Sequence, residues 1–400
     1  MKRILAMLMV LVLALGLVAC GTGEAPSEET ASSEAAASEE TASAEASAAD
    51  GETDDILIGV SIWSSTDALG SQCKWIIDAA AEALGVKTMY VDQGHVSEQV
   101  TASVETLAAA GCDGILICNS SSAEMTSVIN TCDQYEIYVS QFFRAIDEEA
   151  NPDEYALACS SPYYVGTVHE DEVANGQNLV RILCEKGCRK IALEGWSAGD
   201  ATFLLRWQGY QEGIEAWNAE NPDDQATLLE PQYGGHASDT GRSTAEAIIS
   251  ANPDIDALIV AGGGGGCLIG AITAIESQGL TDQIKVVSTD FLEDLEERLQ
   301  NGSIAAESGG HYADPLFAFM MTYNAIKGNY EKPENSFYEV NFPYLYVASP
   351  EDYAAYKKYF VDELPYNTDE LVAMADYTFE ELAECAASLS IEDVQARHGG

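Results

Sequence analysis

Basic side chains are scarce in this chain of 400 residues. Eighteen Lys and Arg stand against 66 Asp and Glu, which gives a formal net charge of −48 at pH 7. Nucleic acids bind through cationic side chains that neutralise their phosphates, and a strongly acidic surface repels them. The composition therefore excludes nucleic acid as a partner.

Signatures of catalysis and of metal binding are also missing. The five His residues are scattered at positions 95, 169, 236, 311 and 398, and neither HExxH nor CxxC occurs. No ordered Ser/His/Asp set and no paired carboxylates at strand ends stand out. We therefore expect no enzyme, no metal site and no other cofactor.

Nine Cys residues follow Cys20, an odd number, and several lie in apolar segments, so we expect mostly free thiols.

The amino terminus carries one long apolar run, Ile4 to Val18, directly after Lys2 and Arg3. Fifteen residues are short for a membrane span and suit a signal-peptide core. The run leads into small residues before Cys20, a pattern that resembles a lipobox. We predict a lipoprotein signal peptide over residues 1–20 with lipid on the Cys20 thiol; an ordinary secretory signal with an incidental cysteine is the alternative. Residues 21–54, mostly Ser, Ala, Glu and Thr, are predicted to form a disordered acidic tether.

From residue 55 onward, apolar runs alternate with segments of helical period. Ile56 to Ile62 predicts a buried strand, Trp63 to Asp67 a polar turn, and the segment up to Gly85 a helix. Similar units recur roughly every 25–30 residues in two arrays, which is typical of parallel α/β sheets. Further strands are predicted at 86–92, 113–118, 137–143, 155–159, 190–194, 226–232, 257–260, 285–288 and 339–342. The predicted fold class is α/β with two doubly wound parallel-sheet lobes.

Several ordered motifs carry a family resemblance over roughly residues 56–345. They are Gln99–Gly114, Asp171–Gly176, Arg206–Tyr210, Asn252–Ala257, Leu268–Ala271 and Val286–Asp290. Together they resemble the type I periplasmic sugar-binding proteins, the ribose-binding group of ABC-transporter receptors. The resemblance implies a hinge with crossings near 159–161, 309–312 and 342–345. The first lobe would combine 55–159 with 311–342, and the second 160–310 with 343–400, including a helical C-terminal extension.

The resemblance also implies a ligand site made by strand-end loops of both lobes. The candidate residues are Trp63, Ser65, Asp67, Asn119, Phe142, Phe143, Arg144, Phe203, Arg206, Gly264, Asp290 and His311. Alternatives remain open for several of them: Asp67 as a helix cap, Trp63 as core packing, Asn119 as an Asx turn, and Arg206 as a structural residue.

The chain departs from the family pattern at three hydroxyl-binding places. Phe143 stands where the family has Asp, Gly264 and Gly265 replace an amide and an acid, and Gly310 replaces the hinge glutamine. A plain ribose-like sugar would therefore have poorly satisfied hydroxyls, whereas a bulkier ligand that uses the room left by the glycines, or an anionic one that meets Arg144, fits the site. The glycine run 262–266 lacks the GK[ST] ending of a phosphate loop, so we expect it to allow close backbone approach instead.

The resemblance implies an extracytoplasmic solute-binding lipoprotein, anchored by its lipid on the outer face of a cell membrane, of the Gram-positive type. It would be a monomer that captures a sugar or sugar-like molecule between its lobes and delivers it to ABC permease subunits. Two alternatives stay open. One is a ligand sensor that signals to a membrane receptor kinase, and the other is a receptor for a non-sugar, anionic ligand.

Overall fold

The computed structural model describes residues 56–262 and 265–399. The predicted signal peptide, the tether, Cys20 and Gly264 lie outside these residues. The described chain forms two sheets, one of six and one of seven strands, each flanked by helices. All strand pairs are parallel except one at the edge of the second sheet. The predicted fold class, α/β with two parallel-sheet lobes, is confirmed.

The first sheet has the strand order β12-β5-β4-β3-β1-β2. Its strands are β1 (Leu57–Ile62), β2 (Lys87–Asp92), β3 (Gly114–Ile117), β4 (Tyr138–Phe142), β5 (Tyr164–Glu170) and β12 (Tyr338–Phe342). Its helices are α1 (Ala68–Leu84), α2 (Ser97–Ala109), α3 (Met125–Tyr135), α4 (Pro152–Ser160) and α10 (Asp314–Ile326). The core of this lobe is shielded from solvent: β3 is buried along its whole length, as is most of α10.

The second sheet has the order β13-β11-β10-β9-β6-β7, with β8 also paired to β6. Its strands are β6 (Lys190–Gly195), β7 (Thr227–Leu228), β8 (Gln232–Tyr233), β9 (Ala257–Val260), β10 (Lys285–Thr289), β11 (Ala306–Gly309) and β13 (Leu345–Val347). The helices of this lobe are α5 (Glu172–Glu185), α6 (Ala201–Glu220), α7 (Ser238–Ala251), α8 (Gly266–Ser277) and α9 (Leu295–Asn301).

The chain passes between the sheets three times, and the first crossing differs from the prediction. We expected it near 159–161, but β5 pairs with β4 and β12, so the first sheet continues to Glu170 and the crossing lies at Asp171. The second crossing separates β11 from α10, and the third separates β12 from β13. The crossing lies later in the chain because residues 155–159, predicted as the fifth strand, form part of a helix, and the strand itself follows that helix.

That segment, residues 155–159, is part of helix α4 and not a strand. Asn151 precedes Pro152 at the first turn, and Asp153 and Glu154 follow. Proline at the start of a helix and acidic residues in its first turn are helix-start signals, because proline has no N–H to satisfy and carboxylates favour the positive end of the helix dipole. The true fifth strand begins at Tyr164, four residues after α4 ends at Ser160.

Two glycines allow α5 and α6 to pack closely. Gly176 and Gly209 face each other, and a Cβ on either residue would come within 3.0 Å of backbone atoms of the other. These are the glycines of the predicted Asp171–Gly176 and Arg206–Tyr210 motifs. Close packing at this point brings Glu172 of α5 beside Arg206 of α6.

The C-terminal extension contacts both lobes, whereas the prediction assigned it to the second. It contains α11 (Pro350–Tyr356), a π-helical segment (Lys357–Asp362), α12 (Thr368–Met374), α13 (Phe379–Ala387) and α14 (Ile391–His398). Helix α11 packs on α9 and β13 of the second lobe, while α12 packs on α1 and α13 on β12 of the first. Apolar side chains on both lobes explain the difference, since each helix buries its apolar face where it finds one.

Candidate ligand-binding site

Two carboxylates, those of Asp67 and Asp92, hold the loop after β1. Trp63 Nε1 donates a hydrogen bond to Asp67 Oδ2 at 2.6 Å, and Gly70 N donates to Asp67 Oδ1 at 2.7 Å. Asp67 therefore caps α1 and also fixes the indole of Trp63. Ser65 N donates to Asp92 Oδ1 at 2.9 Å, which ties the same loop to the end of β2.

Trp63 presents a flat aromatic surface together with His95. The two rings are nearly parallel, with centroids 5.6 Å apart and an interplanar angle of 8°. His95 follows β2 and has a positive φ of 54°. Burial lowers the pKa of His95, and the charge of Arg144 lowers it further. The imidazole is therefore neutral at pH 7, and the pair forms an uncharged stack.

The turn after β4 brings Phe143 against this stack. Phe143 has a φ of 60°, and its backbone N–H donates to Asp314 Oδ2 at 3.3 Å. Its ring lies 5.8 Å from that of Trp63 and 5.2 Å from that of His311. The turn therefore depends on Asp314 in α10, which lies 171 residues away in the chain.

Arg144 is the next residue, and its guanidinium is sparsely bonded. Nη1 donates to Phe143 O at 2.8 Å, and this is its one side-chain hydrogen bond within residues 56–262 and 265–399. Burial opposes the charge of Arg144, but negative groups nearby, including Glu170 and Glu172, raise its pKa. The guanidinium stays charged and keeps donors for another acceptor.

His311 connects residues of the two lobes. Its Nε2 lies 3.6 Å from Asp290 Oδ1, and its ring packs against Phe143 and Tyr344. Burial lowers the pKa of His311. His311 is buried, and its Nδ1 has no hydrogen-bond partner among the described residues. The predicted residues Trp63, Phe143, His311 and Asp290 are thus joined by successive contacts.

Asp290 supplies a carboxylate from the second lobe. It follows β10 with a φ of 77°, and its N–H donates to Ser308 O at 2.9 Å. Its side chain is 32% exposed, and its Oδ1 lies 3.6 Å from His311 Nε2. A left-handed backbone is costly for a residue other than glycine, and it persists here at the edge that faces the first lobe.

A sequence model described as the periplasmic binding protein domain matches residues 58–328. The chain belongs to the periplasmic binding protein family. No curated protein sequence matches it.

Solved structures with the same fold include sugar-binding members of this family. A glucose-galactose binding protein, GanP, from Geobacillus stearothermophilus has a TM-score of 0.60 and 19% identity, covering 75% of this chain and 99% of its own. A solute-binding protein from Actinobacillus succinogenes 130z with bound D-allose has a TM-score of 0.61 and 18% identity. The match covers 74% of this chain and 98% of that protein. The periplasmic binding protein component of the arabinose transporter from Shewanella sp. ANA-3, bound to L-arabinofuranose, has a TM-score of 0.60 and 19% identity. The match covers 80% of this chain and 99% of that protein. At these identities the likeness concerns the fold.

Arg206 is not free to contact a ligand in this periplasmic binding protein. Its Nε and Nη2 donate to Glu172 at 2.6 and 3.0 Å, Nη1 donates to Ala261 O at 2.6 Å, and Nη2 also donates to the Tyr344 hydroxyl. Arg206 is only 5% exposed. The structural alternative for Arg206 is the one that the structure supports.

Three other predicted site residues are engaged in contacts within their own lobe. Phe142 and Phe203 have no exposed surface, because Phe142 points into the first core and Phe203 packs among Trp196, Trp207 and Tyr233. Asn119 is 2% exposed, donates to Ser121 O and accepts from Gln141 Nε2 at 2.7 Å. Its amide therefore holds the loop after β3. The remaining candidate residues stay predictions.

The sequence reasoning missed His95, Glu172 and Tyr344. His95 carried a usable signal, because it follows a predicted strand in the same way as Trp63, Asn119 and Arg144. Glu172 and Tyr344 carried none, since their role depends on Arg206 reaching them across 34 and 138 residues of chain. Glu172 Oε1 also accepts from the Tyr344 hydroxyl at 3.0 Å.

Residues 56–262 and 265–399 contain no group of three or more His, Cys, Asp or Glu placed to hold a metal ion. The nine cysteines after Cys20 are unpaired. No helix in this part of the chain is long and apolar enough to cross a membrane.

Proposed function

We propose that the protein is an extracytoplasmic solute-binding lipoprotein that captures a sugar or sugar-like molecule between its two lobes. The observation that carries the proposal is the pairing of unlike groups at the facing edges of the sheets. The first lobe offers the Trp63–His95 stack and the Arg144 guanidinium, and the second offers the Asp290 carboxylate.

These groups match the chemistry of a sugar ring. An aromatic face packs against the C–H side of a ring, a guanidinium donates to ring or hydroxyl oxygens, and a carboxylate accepts from hydroxyls. A ligand that contacts both lobes only when they are closed would stabilise the closed form by hinge motion. Family members with bound D-allose and L-arabinofuranose support this ligand class.

The closed form would deliver the ligand to the permease subunits of an ABC transporter. Lipid on Cys20 would hold the protein at the outer face of the membrane, and residues 21–54 would give it reach. The role is capture and delivery, without chemical conversion of the ligand.

Arg144 favours a second candidate ligand class, a sugar-like molecule with an acidic group. Its guanidinium makes one internal hydrogen bond, and the neighbouring Phe143 carries no negative charge that would repel an anion. A carboxylate on the ligand would form a bidentate pair with such a guanidinium.

Matched sugars separate the two classes. The chain from residue 21 onward is heated in the presence of D-galactose, D-galacturonate, D-glucose, D-glucuronate, D-allose and L-arabinose. A true ligand binds the folded state and raises the melting temperature with its concentration. A response to the neutral sugars supports the first class, and a response to the uronates alone supports the second.

The Arg144→Ala and Asp290→Ala variants are the controls, and both should lose the response while remaining folded. The proposal is overturned if no sugar, sugar acid, nucleoside or small dicarboxylate raises the melting temperature. It is also overturned if both variants respond like the wild-type protein.

A further inference from the structure

Two buried carboxyl groups meet where the chain crosses between the lobes. Glu170 is the last residue of β5, directly before the first crossing, and Asp314 is the first residue of α10, directly after the second. Glu170 is 7% exposed and Asp314 is fully buried. Their side chains are within hydrogen-bonding reach of each other.

Neither carboxyl group has a cationic partner in the described part of the chain. Glu170 Oε1 and Asp314 Oδ1 are both buried without a hydrogen-bond donor. Two carboxylates at this distance, away from water, cannot both be ionised, because the like charges repel and burial disfavours each of them. A single proton held between the two groups would supply the donor that these oxygens lack.

Burial and, to a lesser degree, the negative charge of Glu172 raise the pKa of Glu170 to about 8. Burial also raises the pKa of Asp314 well above its usual range, as does Glu170. The pair titrates as a unit, so the midpoint belongs to both groups.

Titratable groups surround the pair on every side. They are Cys73 of α1, Cys118 after β3, Arg144 after β4, His169 of β5, Glu172 of α5 and Tyr344 at the third crossing. Burial keeps both thiols protonated, with the pKa of Cys118 raised to about 11. The pKa of His169 is raised although burial works against its charge, because Glu339 lies 2.8 Å from its Nε2. His169 is therefore the neighbour whose titration has to be separated from that of the pair.

The pair is connected to the ligand-facing edge through one hydrogen bond. Asp314 Oδ2 accepts from Phe143 N, and Phe143 has the left-handed φ of 60°. Such a backbone persists only when its surroundings hold it in place. Phe143 contacts Trp63 and His311, and Arg144 is the next residue, so any movement of this turn would move the candidate site.

We propose that Glu170 and Asp314 share one proton and are positioning residues that hold the Phe143–Arg144 turn in its ligand-facing shape. Loss of the shared proton would place two like charges in a buried site and release the turn. The inference concerns the shape of the first-lobe edge and does not depend on which ligand binds there.

Fluorine NMR of the protein labelled with 5-fluorotryptophan tests this coupling without a ligand. The Trp63 resonance is assigned from its absence in Trp63→Phe. On titration upward from about pH 6, this resonance should shift as the pair loses its proton, because burial raises the pKa of both carboxyl groups, that of Glu170 to about 8. His95, stacked on Trp63, titrates below this range because burial lowers its pKa.

Glu170→Gln and Asp314→Asn keep the shape of each side chain and remove one of the two ionisable groups. The transition of the Trp63 resonance should disappear in both. It should persist in His169→Gln and in Glu194→Gln, the latter removing a buried carboxyl of the second lobe whose pKa is also about 8. If Asp314→Asn does not fold, Glu170→Gln decides the question.

The proposal is overturned if the wild-type Trp63 resonance does not move between about pH 7 and about pH 9. It is equally overturned if the transition survives in Glu170→Gln, or if His169→Gln abolishes it.

Discussion

Arg144 and Arg206 are both candidate ligand-binding residues by sequence, with a structural role as the alternative for Arg206, and the structure gives them opposite surroundings. Both lie near strand ends that face the other lobe. Arg206 has Glu172 at 2.6 Å and uses its remaining donors on Ala261 O and Tyr344. Arg144 has one internal acceptor, the carbonyl of Phe143. The difference shows that an arginine is available for a ligand only where the fold places no carboxylate within reach.

The comparison extends to the two edges as a whole. The first-lobe edge presents Trp63, His95 and Arg144, whereas Phe203 and Arg206 on the second are buried in packing and hydrogen bonding. Asp290 is the carboxylate of the second lobe that lies beside His311, at 3.6 Å from its Nε2. Ligand chemistry should therefore depend more on substitutions in the first lobe, and stability more on those in the second.

The largest expected effect is on stability, from Arg206→Ala. Removing one partner of a buried ion pair leaves Glu172 charged and unpaired, which costs about 3–5 kcal/mol. Urea denaturation should show a loss of this size. Arg242→Ala is the control in the same lobe: its partner Glu246 is on the surface, so the loss should stay below about 1 kcal/mol. Equal losses in both variants would contradict the structural role of Arg206.

Arg144→Ala should weaken ligand binding and leave stability nearly unchanged, the reverse of what is expected for Arg206→Ala. Loss of a hydrogen bond from a charged donor costs about 1.5–3 kcal/mol, so affinity should fall roughly 10- to 150-fold while stability changes little. Calorimetric titration with the ligand found in the thermal-shift panel measures the affinity. Arg144→Lys keeps the charge and removes the planar fork, so intermediate affinity is expected. A drop in melting temperature with unchanged affinity would make Arg144 a structural residue like Arg206.

The buried carboxyl group of Glu194 should make the second lobe less stable at higher pH. It is buried on β6, and its hydrogen-bonding donor is Cys267 Sγ at 3.1 Å. Burial raises the pKa of Glu194 to about 8, whereas in the unfolded chain it is about 4.3. Between these values the folded state holds a proton that the unfolded state has lost, so stability falls as pH rises, by about 1.4 kcal/mol per pH unit.

Glu194→Gln should remove this contribution. The free energy of unfolding, measured at several values between about pH 5 and about pH 8, should decline less steeply in the variant than in the wild type. Glu246→Gln, a substitution at the surface, should keep the wild-type slope. An unchanged slope in Glu194→Gln would mean that the carboxyl is ionised in the folded protein.

The smallest expected effect is that of Trp63→Ala. Aromatic contacts contribute about 0.5–1.5 kcal/mol beyond the area they bury, so affinity should fall roughly 2- to 10-fold. Phe203→Leu in the second lobe should lower stability and leave affinity unchanged, since its ring has no exposed surface. The contrast between the lobes fails if Phe203→Leu weakens binding as much as Trp63→Ala does.

Much of the fold was predictable because its signals are local. Apolar runs such as Ile56–Ile62 and the periodic segment that follows predict strand and helix from neighbouring residues alone. The error at 155–159 arose at a short segment whose helix-start signal, Asn151 and Pro152, was outweighed by its apolar residues. Displacing the fifth strand then displaced the first crossing between the lobes.

The candidate site was predictable only in part. Position after a strand identifies candidate residues, and Trp63, Phe143, His311 and Asp290 do come together through successive contacts. Position alone cannot show whether a side chain is already satisfied. Phe142 and Phe143 are adjacent and both buried, yet it is the Phe143 ring that contacts Trp63 and His311, because the strand ends between the two residues.

Local patterns in the chain were enough to establish α/β units in two arrays, an acidic composition unsuited to nucleic acid, and the polar loops that follow the strands. Tertiary structure decided which of those loops have free polar groups. Glu172 meets Arg206 from 34 residues away, and Asp314 holds Phe143 from 171 residues away. Hydrogen bonds and burial depend on distances in space, and a linear pattern contains those distances only where the partners are close in the chain.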